Sequence, residues 1–389
     1  MRVTHVITRL IVGGAQENTV TTVLGLRQRP GVQVELISGP TTGPEGSLAE
    51  QFTGTDVLHV EPRLVRPVHP LADFLALRRL TAHFRAARPD LVHTHSGKAG
   101  VLGRIAAHRA GVPVIVHTIH GPSFGTFQGA LANTIFRAAE RRAGRVTSHF
   151  ISVADAMTEQ YLAAGIGRRE QYSTIRSGFD LTPFTNAGND PMLRAKLGIG
   201  PRDFVVGMIA RLFELKGHDD LFTVAAEIVR LEPHTRFLLI GDGPWRDRFE
   251  RFLAVHGLRS HFVLAGLIPP TEVPRYVGIM NCLVHLSRRE GLPRALPQAL
   301  AAGKAVVAYD CDGAREVCHD RKTGRLLAPG DLPGLIEAIV ALSKSGDLRN
   351  QLGANGRQLV REQFSAEKMV ADIHALYVRL LEQPARRAP

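Results

Sequence analysis

Short β-branched runs alternate with helix-length amphipathic segments from one end of this 389-residue chain to the other. No other feature constrains the fold as much. A strand followed by a helix and a second strand returns parallel to the first, so repeated units build parallel sheets covered by helices on both faces. Strands are expected at Val3–Ile7, Val32–Ile37, Asp56–Val60, Leu91–Thr94, Val114–Thr118 and Phe150–Val153. They are expected again at Phe204–Ile209, Phe237–Gly241, Phe262–Gly266, Cys282–Leu286 and Ala305–Tyr309. Between them, Leu71–Ala87, Asp220–Leu231, Trp245–His256 and Leu292–Ala302 carry apolar residues at the spacing of a helix with one buried side.

The alternation restarts after SGFDLTPFTNAGND (177–190), which is turn-rich and aperiodic and reads as a linker. Two doubly wound α/β domains are therefore expected, at 1–182 and 190–364. The remainder, 365–389, is expected to form a C-terminal helix that packs back across the domains, then a frayed tail, PARRAP. Ser365, Glu367 and Lys368 open that helix, and Met369, Ile373, Leu376, Leu380 and Leu381 form its buried stripe.

Composition narrows the function classes. Hydrophobic residues are 44% and charged residues 22%, enough for ordinary globular cores and unlike a disordered or fibrous chain. The net charge of +12 favours anionic partners: phosphate ligands, nucleic acid or acidic lipid. Aromatics are only 6% and form no stacking cluster, which argues against nucleic acid. Cys282, Cys311 and Cys318 make neither a disulfide framework nor a CxxC pair, so a reducing cytoplasm is expected. The first residues run straight into an apolar strand without a signal-peptide pattern. No run reaches the roughly 18 apolar residues of a membrane span, so membrane contact is expected to be peripheral.

Four strand ends carry candidate chemistry. Gly13-Gly14-Ala15-Gln16 forms a βα turn where missing Cβ atoms would let backbone N–H groups approach a ligand; a turn that merely packs stays open. Arg211 follows an apolar strand and Lys216 precedes the next helix, a placement suited to a diphosphate outside the edge of a parallel sheet, or simply two solvated cations. Gly241-Asp242-Gly243-Pro244 reads more as a structural turn than as a contact. Glu290 sits on the loop after Cys282–Leu286, Gly291 and Leu292 open the next helix, and Gln298 lies about two turns into it. A carboxylate there can accept hydrogen bonds from sugar hydroxyls, while the N–H groups beyond it face an anion.

Other signals read as structural. His93, His95, His117 and His120 lack carboxylates at ligand spacing, so no metal site is expected. Gly303-Lys304 lacks the rest of a P-loop. The helix bearing Arg78, Arg79, Arg85 and Arg88 beside Phe74, Leu77 and Leu80 reads as a sheet-covering helix ahead of a membrane-docking one.

In order along the chain, GGAQ at Gly13–Gln16, VHTHSGKAGVLGRIAAHRAGVP at Val92–Pro113, HTIHG at His117–Gly121, ARLFELKG at Ala210–Gly217, GDGP at Gly241–Pro244 and EGLP at Glu290–Pro293 resemble the large GT-B family of retaining glycosyltransferases numbered four. The resemblance covers nearly the whole chain. It implies the GT-B fold: two Rossmann-like domains, the first for the acceptor and the second for a nucleotide-sugar donor, with a cleft between them and a C-terminal helix. It implies that Arg211 and Lys216 hold the donor diphosphate, that Glu290 holds the transferred sugar, and that Gly14 lets the first loop close over the reaction centre. His120 would point into the cleft near the donor sugar. Gly13, Gly243, Gly291 and Leu292 complete the donor set. Gln298 stands where the family has a second glutamate that binds the nucleotide ribose. No cofactor is expected. The expected donor is a nucleotide-diphosphate sugar, UDP-linked by preference. The acceptor, a glycan or lipid-linked one, would be read by loops such as Pro40–Ser47 and Gly121–Gly129. The alternatives are a nucleotide-sugar epimerase, or a non-catalytic basic protein that binds anionic lipid or nucleic acid. The expected location is cytoplasmic, with peripheral contact at the inner face of the membrane.

Overall fold

The computed structural model describes residues 1–41, 46–125 and 128–382. The chain divides into two compact units, Met1–Phe179 together with the segment from Ala366 onward, and Asp180–Ser365.

The first unit is built on seven parallel strands: β1 (Arg2–Ile7), β2 (Gln33–Ser38), β3 (Leu58–Val60), β4 (Leu91–His95), β5 (Val114–Ile119), β6 (His149–Ser152) and β7 (Tyr172–Thr174), in the order β3-β2-β1-β4-β5-β6-β7. Every residue of β4 and β5 is buried, as expected for central strands covered on both faces. Helices α1 (Gly14–Arg27), α2 (Pro70–Ala87), α3 (Gly97–Ala110) and α4 (Ala130–Gly144) connect them. α2 starts where His69 Nδ1 accepts the Ala72 N–H at 3.2 Å with Pro70 in the first turn, and it stops at Arg88, which turns left-handed at φ 47°. Its buried side is Ala72, Ala76, Leu80 and Phe84. Phe74, expected in that stripe, is instead 53% exposed, because the helix follows the four-residue row to which Phe74 does not belong.

Strand alternation sorts the two faces of this sheet. Val6, Ile37, Val92 and Ile115 pack under Leu80 and Phe84 of α2 and Ala99 and Ala106 of α3. Val3, Leu91, Val116 and Ile151 pack under Leu26 of α1 and Met369, Val370, Ile373, Leu376 and Tyr377 of the C-terminal helix, Ala366–Glu382. α1 and that helix meet closely at Gly25, where a Cβ would come within 2.6 Å of Val370. The stripe expected on the C-terminal helix is thus the cover of the N-terminal sheet.

The second unit holds six parallel strands: β8 (Phe204–Ile209), β9 (Thr235–Ile240), β10 (Phe262–Gly266), β11 (Cys282–His285), β12 (Ala305–Tyr309) and β13 (Gly324–Leu327), in the order β10-β9-β8-β11-β12-β13. Stacked rings at Phe222, Phe249, Phe262 and Phe237 sit in its core, with centroids 4.5–5.0 Å apart. In both sheets the strand order reverses, between β1 and β4 and between β8 and β11. Those reversals leave crevices at the carboxyl ends of the strands where ligands of open α/β sheets bind.

β8, β10 and β12 have the bounds expected, and the other expected strands shift by one or two residues. β7 and β13 carry no sequence signal, because edge strands of three and four residues are too short to show a period. The linker contains one short helix, Thr182–Thr185. The expected tail, PARRAP, lies outside the described residues. No helix among the described residues is long and apolar enough to cross a membrane.

Candidate active site

In the second unit the chain leaves β8, passes Arg211 and turns at Leu215, Lys216 and Gly217 into helix His218–Leu231. Leu215 lies in the left-handed region at φ 69°, which costs a side-chain-bearing residue about 1–2 kcal/mol. Gly217 is also left-handed at φ 77°, and a Cβ there would fall 2.1 Å from the Leu286 carbonyl oxygen, so only glycine fits. The Leu215 carbonyl accepts the Arg288 N–H at 2.8 Å, which ties this turn to the loop after β11.

That tie brings Lys216 to Glu290, with Nζ 2.5 Å from Oε1 and both side chains about three-quarters buried (24% and 20% exposed). His285 Nε2 lies 3.5 Å from the same oxygen. Burial pushes the Glu290 carboxyl up, but His285 and the Lys216 ammonium beside it outweigh that and hold it well below the usual carboxylate range. The Glu290 N–H donates to Asp312 Oδ2 at 2.7 Å, and the Gly313 N–H donates to the Gly291 carbonyl at 3.1 Å. The Glu290 loop is therefore held by the loops after both β8 and β12. Arg211 is exposed, stacks at 5.5 Å on the Phe213 ring, and has no carboxylate partner among the described residues.

Gly243 packs closely against this loop. A Cβ at Gly243 would fall 2.4 Å from the Leu212 carbonyl oxygen, and Leu212 exchanges backbone hydrogen bonds with Asp242 and Trp245, each at 3.1 Å. The Gly243 N–H itself is spent on Asp242 Oδ1.

Gly291 and Leu292 do not open a helix. The helix runs Ala295–Ala301, because Pro293 forces the residue before it into an extended conformation. Gln298 is consequently about one turn in, not two. It is half-buried, and its side-chain amide has no hydrogen-bond partner among the described residues.

In the first unit Gly13 caps α1, and Gly14 is exposed with nothing within 4 Å of where its Cβ would be. Packing inside the unit therefore does not require glycine at position 14. His120, half-buried, follows β5, with Nε2 3.1 Å from His95 Nδ1, and His95 Nε2 is 2.9 Å from His5 Nδ1. Burial lowers His120 to about 4 and His5 to about 3, so both are neutral imidazoles near pH 7. The loop after His120 is anchored by Ser123, which donates to Glu140 at 2.9 Å, while Glu140 pairs with Arg104 at 2.5 Å. That ion pair is 0% and 1% exposed, and removing one partner of such a pair typically costs about 3–5 kcal/mol.

Of the histidines weighed in the sequence, His117 turns to the opposite face, where a Cβ on Gly100 would meet its ring at 2.5 Å. His5, His93 and His95 instead form a buried group whose nitrogens lie within 4.8 Å of one another. No local sequence pattern singles out His5, although its register opposite His93 puts both on one face. Asp312 is likewise unmarked, and a polar residue closing an apolar strand is the only signal for His285. Of the expected acceptor loops, residues 42–45 and 126–127 lie outside the described residues. Ser47 bridges to Ile11 beside the first turn.

Residues 13–178 match the family Glycosyl transferase 4-like domain, and residues 189–359 match Glycosyl transferases group 1. Over 325 residues, 82% of this chain and 83% of the relative, the chain is 28% identical to the UDP-Gal:alpha-D-GlcNAc-diphosphoundecaprenol alpha-1,3-galactosyltransferase of Escherichia coli. It is also 28% identical to a GDP-mannose-dependent alpha-mannosyltransferase of Mycobacterium tuberculosis, over 83% of this chain and 82% of that one. Anabaena HepE in complex with UDP-glucose superposes with a TM-score of 0.81 at 22% identity, covering 97% of this chain and 100% of that one. These matches set aside the non-catalytic binding protein. With two parallel-sheet domains, both halves matched in order and the cationic loop after β8 facing a glutamate after β11, the chain belongs to the GT-B glycosyltransferases of family four.

Proposed function

We propose that this enzyme transfers a sugar from a UDP-linked donor to a glycan or lipid-linked acceptor in cell-surface glycan, polysaccharide or glycolipid synthesis, with retention at the anomeric carbon. The observation that carries the reading is the Lys216–Glu290 pair at the strand-order reversal of the second sheet, with Arg211 on the same loop after β8. Arg211 and Lys216 would neutralise the charge that grows on the leaving diphosphate, where preorganised cations act in the transition state rather than the ground state. Glu290 would accept hydroxyls of the transferred sugar. Because it now pairs with Lys216, donor binding would exchange that ion pair for contacts to phosphate and sugar.

His120 would hydrogen-bond the transferred sugar, and Gln298 would reach the ribose with a neutral amide. In the proposed step the bond from the anomeric carbon to the diphosphate oxygen breaks and the acceptor oxygen bonds to the same face. Its proton passes to the departing phosphate, giving a glycoside and a nucleoside diphosphate. The UDP preference is supported by the name of the Escherichia coli relative, whereas the mycobacterial relative is named for GDP-mannose.

Peripheral contact with anionic membrane at the cytoplasmic face is part of this reading. Leu71 (63% exposed), Phe74 and Arg78 of α2 support it, as do Leu131 (76%) and Ile135 (55%) of α4, whose last turn carries Arg141 and Arg142. A panel of nucleotide-diphosphate sugars, first in thermal shift and then with lipid-linked acceptors, tests the reading. Transfer is expected to survive EDTA and to keep the donor's anomeric configuration. An inverted product, full loss on chelation restored by Mn²⁺, or turnover of donor alone to an epimer would each refute it.

A further inference from the structure

Beneath the carboxyl end of the N-terminal sheet, six side chains form one continuous hydrogen-bonded chain. Thr118 Oγ1 lies 2.6 Å from His93 Nε2, and His93 Nδ1 meets the Tyr377 hydroxyl. That hydroxyl lies 3.4 Å from His5 Nε2, His5 Nδ1 lies 2.9 Å from His95 Nε2, and His95 Nδ1 lies 3.1 Å from His120 Nε2. Strand register assembles it. His5 pairs with His93 and His95 with Thr118, so the row that is apolar at Val3, Leu91 and Val116 turns polar at the carboxyl ends, where Tyr377 of the C-terminal helix covers it.

A neutral imidazole donates from one nitrogen and accepts at the other, so the chain runs in one direction or the other and every ring must agree. Thr118 decides which. It is 4% exposed, and among the described residues its hydroxyl has no hydrogen-bond partner except His93. Its hydrogen must therefore point at His93 Nε2; the reverse direction would bury it unpaired, at a cost that mutational data put at about 1–3 kcal/mol. His93 Nδ1–H then donates to the Tyr377 oxygen, and the Tyr377 O–H donates to His5 Nε2. His5 Nδ1–H donates to His95 Nε2, and His95 Nδ1–H donates to His120 Nε2. His120, accepting at Nε2, carries its own proton on Nδ1.

We propose that this chain locks His120 as the Nδ1–H tautomer and so makes its remaining nitrogen a fixed donor to an oxygen of the transferred sugar, with His95, His5, Tyr377, His93 and Thr118 as positioning residues. The inference rests on the assignment of His120 to that sugar. Burial keeps the rings neutral, as the directional chain requires. It also gives the C-terminal helix, through Tyr377, a share in the chemistry of a residue far from it in sequence.

Nitrogen-15 shifts of the histidine rings, recorded on the full chain without substrate and assigned by the signal lost in His120→Ala, test the lock directly. His120 is expected to show a protonated Nδ1 and a bare Nε2. Thr118→Val, which keeps the shape and removes the hydroxyl, and Tyr377→Phe, which cuts the chain, are expected to mix the two tautomers. Both should lower kcat about 2- to 12-fold, the worth of one neutral hydrogen bond, with donor KM within about twofold. Thr118→Ser should restore the wild-type signature. A wild-type His120 protonated on Nε2, variants with an unchanged tautomer, or a stoichiometric metal ion bound by the purified protein would overturn the proposal. Full transfer by His120→Ala with the lock intact would overturn instead the assignment of His120 to the sugar.

Discussion

Glu290 and Gln298 stand eight residues apart in one motif, yet the structure gives them different surroundings. Glu290 is ionised, paired with Lys216 and held by its own backbone to Asp312. Gln298 carries an amide with no internal partner among the described residues. On the proposed assignment, Glu290→Gln would remove a charge beside a carbon that becomes positive as the glycosyl bond breaks, so kcat should fall by about 100-fold or more in a transfer assay. If Gln298 meets the ribose as proposed, Gln298→Ala would remove at most one neutral hydrogen bond, so donor KM should rise about 2- to 12-fold with kcat little changed. Collapsed kcat with an unchanged KM in Gln298→Ala would place that residue in the chemistry. Much of this site was legible in the sequence, because Arg211, Lys216 and Glu290 fall at ends of strong apolar strands. Asp312 and His285 were not. Each acts on Glu290 through a loop whose course is set by another loop, and no local pattern encodes such a contact.

On α2 the four-residue row Ala72, Ala76, Leu80 and Phe84 is buried and leaves Leu71, Phe74 and Arg78 outward, with the Arg78 guanidinium 6.0 Å from the Phe74 ring. Arg79 is already engaged by Glu61 at 3.3 Å, so Arg78 is the better probe of lipid contact. Arg78→Glu is expected to weaken cosedimentation with anionic vesicles by more than about fivefold, since each cation near such a surface contributes roughly 1 kcal/mol, and added salt should mimic the substitution. Unchanged cosedimentation would remove α2 from that role. Periodicity located α2 and its length, but not which apolar residue would be left over; a row offset by two residues reads the same until the sheet beneath is known. The C-terminal helix is the opposite case. Its stripe was plain, while its partner, the sheet face of Val3, Leu91, Val116 and Ile151, lies more than 200 residues earlier in the chain. Truncation before Ala366 should strip that face and give a chain that sediments on expression or binds a hydrophobic dye. A truncated chain that stays soluble and melts like the parent would show the cover to be dispensable.

For the molecule as a whole, the buried histidines set a pH limit. Burial holds His5 at about 3 and His120 at about 4, and lowers His93 and His95 well below the 6.5 of an exposed ring. Between pH 6.5 and about 4 the unfolded chain takes up protons that the folded rings refuse, so stability falls as pH falls through that window. Each ring kept neutral contributes about 1.4 kcal/mol per pH unit to the slope. Urea midpoints are expected to drop sharply from pH 7.5 to pH 5, and less so in a His5→Gln chain; a flat profile would mean the rings titrate freely. The fold class and the order of its units followed from alternation alone, whereas the neutral histidine row depends on register between distant strands. The first domain also has a history during synthesis. Its sheet is complete by Thr174, yet its cover begins at Ala366, after all of Asp180–Ser365 has been translated. At about 5–20 residues per second that stretch takes on the order of 10–40 s. For that interval each nascent chain holds a finished sheet with one oily side covered by α1 alone, a natural docking surface for ribosome-associated chaperones, and any pause in translating the second domain prolongs the exposure of the first.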